Sequence, residues 1–209
     1  MKRIAAILTL IILSISAFAQ SAEEIVSRME KNLEGAVTKG IAMTADVKVP
    51  IIGTMTTTTY SLGDKLRIEG EVGGVKVITW SDSRTTWIYD GKNKRITIDD
   101  SPAANAESTN DEDLDLFMGI TDGYDVSIRK EDATAWYISC KKSKDFKDKN
   151  APKSIDLVVR KGNYLPISLA TTLSGVKMTL RNISVGVSEK SVTFNADDFP
   201  GVPIEDKRK

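Results

Sequence analysis

Apolar residues recur along this chain with two different periods. Ile25, Val26, Met29 and Leu33 follow one another at helical spacing. They stand behind Ser21-Ala22-Glu23-Glu24, which has the S-x-x-E form of a capping box, and ahead of Gly35, which offers a stop. The pattern predicts an amphipathic helix over about residues 22–34. From Gly40 the period falls to two. Ile41, Met43, Ala45 and Val47 alternate with Ala42, Thr44, Asp46 and Lys48, as in a strand with one apolar face. The Thr-rich run 54–60 also favours extended backbone, because β-branched side chains sit well on a pleated surface. Turn pairs then punctuate the chain: Gly63-Asp64, Gly73-Gly74, Asp82-Ser83, Asp90-Gly91, Gly162-Asn163 and Ser174-Gly175. Short alternating runs between close turns predict an antiparallel meander rather than βαβ units.

Two stretches break that rhythm. Over 101–119 a polar run leads into Asp111-Glu112-Asp113, after which Leu114, Phe117 and Met118 recur at i, i+3 and i+4, predicting a short helix that Gly119 closes. The acids there suit a helix start. A calcium site is the sharper reading, but the Gly and distal Glu of an EF-hand loop are missing. Residues 141–153 form a Lys-rich hairpin loop, for which a solvated loop is the plain account and contact with anionic lipid the sharper one. No internal repeat or low-complexity linker marks a boundary, so residues 20–209 are expected to form a single domain.

The first residues, MKRIAAILTLIILSISAFAQ, join a basic start to an apolar run from Ile4 to Ile15 and the small-residue pattern Ala17-Phe18-Ala19. They predict a secretory signal peptide over 1–19, cleaved after Ala19. The apolar run is shorter than the roughly 20 residues of a spanning helix. The sole cysteine, Cys140, is far from the cut, so lipid has no attachment point there and no permanent membrane anchor is expected. Export to a bacterial periplasm or exterior is expected.

Composition narrows the chemistry. The chain has 209 residues, 29 basic against 29 acidic side chains, and no histidine. Imidazole-based catalysis and imidazole metal ligation are therefore absent from its repertoire. Balanced charge gives no expectation of nucleic-acid binding. One cysteine forbids an intrachain disulfide, and its place in Trp136-Tyr137-Ile138-Ser139-Cys140 predicts a buried, inert thiol on one face with Trp136 and Ile138. Asp46, Glu69, Glu71, Asp82, Asp90 and Asp125 are the candidates for acid-base work, but several stand where turns call for Asp, and no enzyme is expected. No phosphate-binding glycine motif occurs, and neither a cofactor nor a metal is expected. Apolar faces on strands and helices remain. They either pack into a plain core or enclose a cavity for an apolar ligand, and Met43, Met55, Met118 and Met178 suit the irregular surface of either.

The order of these pieces resembles a known family. The helix, the strand IAMTADV, the run DKLRIEG at 64–70, SDSRTTWIYDGK at 81–92, LDLFMG at 114–119, and an ending with Phe199-Pro200-Gly201-Val202 are together similar to LolA-type periplasmic carriers of outer-membrane lipoproteins. The resemblance implies an α+β fold, an incomplete antiparallel β-barrel enclosing a hydrophobic cavity with short helices as a lid. It implies a monomer that takes the acyl chains of lipoproteins or other lipids from an inner-membrane lipoprotein-releasing transporter to an outer-membrane receptor. Met43, Leu66, Ile68, Trp87, Tyr89 and Met178 are then expected to line the cavity, with Leu114, Phe117 and Met118 in the lid and Arg67 and Glu69 turned to solvent or to each other. Tyr60-Ser61-Leu62-Gly63-Asp64 stands where these carriers place a basic-Pro pair, so their latch arginine has no counterpart here. Sensors of envelope stress share the half-barrel, which leaves a non-enzymatic regulatory module as the alternative.

Overall fold

The protein is described here from a computed structural model covering residues 20–49, 53–101 and 117–208. Helix α1 spans Ala22–Glu34, within the range its periodicity predicts. Ser21 accepts a hydrogen bond from the Glu24 N–H at 3.1 Å, so one half of the capping box forms. The Glu24 carboxylate turns the other way and pairs with Arg28 one turn on, at 2.6 Å. A 3-10 turn at Val37–Lys39 and Gly40 then swing the chain into the sheet. Gly40 has φ +76°, and a Cβ there would lie 2.6 Å from the Ser61 carbonyl oxygen, so only glycine fits.

The strands are β1 Ile41–Val49, β2 Gly53–Leu62, β3 Lys65–Val72, β4 Val75–Ser81, β5 Thr85–Asp90, β6 Arg95–Asp100, β7 Tyr124–Glu131, β8 Ala135–Lys142, β9 Ser154–Arg160, β10 Pro166–Leu173, β11 Val176–Val185 and β12 Ile204–Asp206. They form one open sheet in the order β12-β6-β5-β4-β3-β2-β1-β11-β10-β9-β8-β7. All neighbours are antiparallel except β12, which runs parallel to β6. Each of the six turn pairs read from the sequence joins two sequential antiparallel strands. Short helical turns α2, Ile120–Gly123, and α3, Glu189–Val192, precede β7 and follow β11. Among the described residues no helix is long and apolar enough to cross a membrane. Residues 1–19 and 102–116, with the signal peptide, the acidic run and Leu114, lie outside the described residues.

Residues paired in antiparallel register share a face of the sheet, which assigns every side chain to one of two layers. The inner face packs α1. Ile25, Val26, Met29 and Leu33 are buried there against Ile138, Cys140, Ile155, Leu157, Leu169 and Leu180, together with Phe117 and Ile120. The outer face is apolar on the other half of the sheet. Ile78, Trp80 and Ile96 are buried on it, beside a C-terminal tail that brings Phe194 and Phe199 onto Trp80 at ring distances of 5.5 and 5.7 Å. The edge strand β7 carries a bulge between Ile128 and Lys130.

Candidate ligand-binding site

Register connects the inner-face residues into rows. One row reads Met55, Val47, Met178, Thr171, Ile155, Cys140, Val126 across seven strands. A second runs the other way from Met43 through Thr59, Ile68, Thr79 and Ile88 to Thr97. Leu66 stands beside it, between Ser61 and Ser81. The two halves of this face differ in burial. Met43 and Ile155 are buried near α1, whereas Leu66, Ile68, Thr79, Ile88 and Thr97 are only half-buried. Isoleucines alternating with threonines make that strip apolar at its surface while leaving no buried charge within it. Five of the expected site residues therefore have a common setting: Met43, Leu66, Ile68 and Met178 share the inner face, and Phe117 is fully buried in the core that adjoins it.

Met118 contributes to a pocket of about 270 Å³ at the end of this face, which it lines with Ile120, Tyr124, Phe146, Pro152, Ile155 and Leu173. Its shape depends on Gly123, where a Cβ would meet the Phe146 ring at 2.8 Å. The Tyr124 hydroxyl donates to the Pro152 carbonyl at 2.9 Å and ties α2 to the β8–β9 loop. From α1, Glu30 accepts the Ile120 N–H at 2.9 Å, and burial pushes its carboxyl above the ordinary glutamate range. Gly119 has φ +67° and precedes α2, while the helix it is expected to close falls largely on residues outside the described ones. A residue in the left-handed region turns the chain between Met118 and Ile120, so these neighbours do not continue one helix.

Trp87 and Tyr89 lie elsewhere. Paired with Trp80 and Ile78 on β4, they occupy the outer face, opposite Leu66 and Ile68, and do not line the same surface. Trp87 stacks on Phe194 at 5.7 Å, and Tyr89 meets Phe199 in a tilted contact at 5.0 Å. Alternation fixes this, since Ile88 between them is the inner residue of β5. Arg67 is on their side too. It pairs with Glu69, lies over the rings of Tyr60 and Trp80 at 5.5 and 5.4 Å, and donates to the Ser191 carbonyl at 3.3 Å. This arginine thus holds the tail, and a second hollow of about 500 Å³ sits beside it, lined by Trp80, Tyr89, Phe199 and Lys76.

Of the six carboxylates considered for catalysis, Asp46, Glu69, Asp82 and Asp90 have structural tasks, whereas Glu71 and Asp125 are exposed. Asp46 pairs with Arg181 at 2.5 Å, and the hydrogen bond from that guanidinium holds its carboxyl below the usual range. Asp82 and Asp90 each accept two backbone N–H groups in their turns. Among the described residues no cluster of acids and cysteine is arranged to hold a metal ion. Phe146, Tyr124 and Leu173 were missed by sequence reasoning. A lone aromatic in a lysine-rich run was the available signal for Phe146.

No protein-family model and no curated protein matches the chain. Several solved structures are similar to it in form. A LolA superfamily protein from Nitrosomonas europaea is 10% identical, over 84% of this chain and 99% of the other, with a TM-score of 0.32. The lipoprotein LppX of Mycobacterium tuberculosis is 10% identical, over 78% and 93%, with a TM-score of 0.45. The MucA/MucB complex of Pseudomonas aeruginosa is 13% identical, over 84% of this chain and 62% of that one, with a TM-score of 0.44.

Proposed function

We propose that the protein is a periplasmic carrier that binds the acyl chains of lipoproteins or other lipids on the inner face of its open sheet. The observation that carries this reading is the half-buried strip of Leu66, Ile68 and Ile88, continuous across register with the buried core, with charge on its rows only at the far edge, at Asp90, Arg95 and Asp99 on β5 and β6. An ordinary core residue is buried on all sides. A strip of isoleucine and threonine kept at partial exposure beside a complete core suits a ligand that comes and goes.

Acyl burial is worth about 0.8 kcal/mol per CH₂, so a chain of ordinary length needs cover to cross water. A carrier must nevertheless release it. Threonine hydroxyls interleaved with isoleucine lower the apolar area offered per residue and hold affinity to a moderate value. The donor would be an inner-membrane lipoprotein-releasing transporter and the acceptor an outer-membrane receptor, with the protein acting as a monomer between them. Met43, Leu66, Ile68 and Met178 are the residues assigned to the acyl surface, and Phe117 and Met118 to its border.

The test is displacement of a fluorescent acyl probe from the mature chain, residues 20–209. Leu66→Glu places a charge on the strip, and probe affinity is expected to fall by at least about tenfold while the circular dichroism spectrum is retained, because an unpaired carboxylate in an apolar site is costly. Undiminished binding by a folded variant overturns the reading.

A further inference from the structure

The β8–β9 loop, residues 143–153, combines two features that the acyl strip does not explain. Lys141, Lys144, Lys147, Lys149 and Lys153 are all exposed along it or at its base, against Asp145 and Asp148. Among the described residues, lysine ion pairs engage Lys65, Lys76, Lys161 and Lys207, and none of these five. The same loop also supplies Phe146, Asp148, Asn150, Ala151 and Pro152 to the wall of the 270 Å³ pocket, Asp148 being the one charged residue in that wall and the lysines standing outside it. Cationic head and apolar floor therefore belong to one segment. Exposed apolar side chains gather at this end of the inner face as well, with Met55 36% and Leu173 38% exposed. At this end of β1 and β11, Lys48 and Lys177 stand directly opposite each other on the outer face, a like-charge pairing that costs stability.

A solvated loop needs no pocket, and a free phosphate needs no apolar floor. Insertion into a bilayer would call for aromatic side chains projecting outward. Phe146 is half-buried instead, tilted on Tyr124 at 5.9 Å, with the Lys142 ammonium 5.5 Å from its ring. The arrangement suits a single amphiphile, with its chain under the loop and its head on top of it.

We propose that this loop selects cargo: the pocket takes an acyl chain whose head carries an anionic phosphate, held by Lys144, Lys147 and Lys149, with the chain running past Phe146 towards Ile155. The proposal rests on the acyl-binding reading above and names the class of lipid that the site prefers. Lysine suits the task because its ammonium is a mobile point charge that pairs with phosphate without demanding one orientation.

The experiment uses the mature chain and two lipids with the same acyl chain, lysophosphatidylglycerol and lysophosphatidylcholine, each below its micelle concentration, displacing the fluorescent acyl probe. The anionic lipid is expected to bind at least about tenfold more tightly at low salt, as cationic side chains near an anionic head provide. The preference should shrink at high salt through screening. It should vanish in the Lys144→Gln, Lys147→Gln, Lys149→Gln triple variant, with a melting temperature measured to show that the variant folds. Equal affinities overturn the proposal and leave the acyl reading standing, whereas binding of neither lipid removes both. A triple variant that keeps the full preference overturns the assignment to this loop. Capture by anionic vesicles without uptake of either monomer overturns it in favour of membrane docking.

Discussion

At Asp132 a single side chain organises a whole turn. One carboxylate oxygen accepts from the Thr134 N–H at 2.8 Å, the Ala135 N–H at 2.9 Å and the Thr134 hydroxyl at 2.8 Å, and the other accepts from the Tyr137 hydroxyl at 3.0 Å. These donors, the Thr134 N–H foremost, hold its pKa down at about 2. Because the folded state depresses this pKa, the contribution to stability is complete above the ordinary aspartate range and is lost as pH falls through about 2. Acid denaturation should accordingly show a shallower loss of melting temperature between about pH 4 and pH 2 in Asp132→Ala than in the parent, against a lower starting value. Parallel curves would mean that the turn does not couple to unfolding. Such aspartates are legible in sequence, since a short side chain that bonds backbone two or three residues on acts locally. Cys140 was legible for a similar reason. Its alternation with Trp136 and Ile138 placed it in the core, and burial pushes its thiol up to about 12, where the reactive thiolate is scarcely populated at neutral pH. Glu30 was not legible, because its burial and its bond to Ile120 come from a segment ninety residues away in the chain.

Helix α1 shows what local pattern decides and where it stops. Its spacing of Ile25, Val26, Met29 and Leu33 gave both the element and the face that packs. Met29 is completely buried, so Met29→Ala removes core contacts that the sheet beneath cannot replace. It should cost about 2–5 kcal/mol, read as a lower urea midpoint with an unchanged slope. A cost below about 1 kcal/mol would show that α1 is loosely seated. The strands were equally plain in β1, whose polar positions alternate cleanly. In β5 they were not. Trp87, Ile88 and Tyr89 are all apolar, so period two separates them into two sets without saying which set faces inward. The decision came from Phe194 and Phe199, which cover the aromatic side and lie about a hundred residues later. Around Gly119 the chain takes a positive φ, which is legible because glycine adopts that conformation without steric cost.

Across the whole molecule, a sheet of twelve described strands is furnished with cover from both ends of the described chain. Helix α1 lies on the inner face at one half and the C-terminal tail on the outer face at the other. Phe194→Ala withdraws a ring from both Trp80 and Trp87. Since Phe194 is half-buried, the loss should be smaller than for a full core phenylalanine, about 1–3 kcal/mol, accompanied by a red shift of tryptophan emission. An unchanged emission maximum would place the tail away from the indoles in solution. The meander was readable because its turns are local. The coverage of its two faces was not, because it depends on which distant segment each face meets.

The bulge in β7 has a consequence for life at high concentration. Among the described residues β7 ends the sheet, opposite β12, and a straight apolar edge strand would invite another copy to add to the ladder. The bulge between Ile128 and Lys130 twists that edge out of register, and Arg129, Lys130 and Glu131 crowd it with charge. An apolar strip left partly open on the face therefore does not run out onto a β7 border ready to extend, because that border is spoiled by its own sequence.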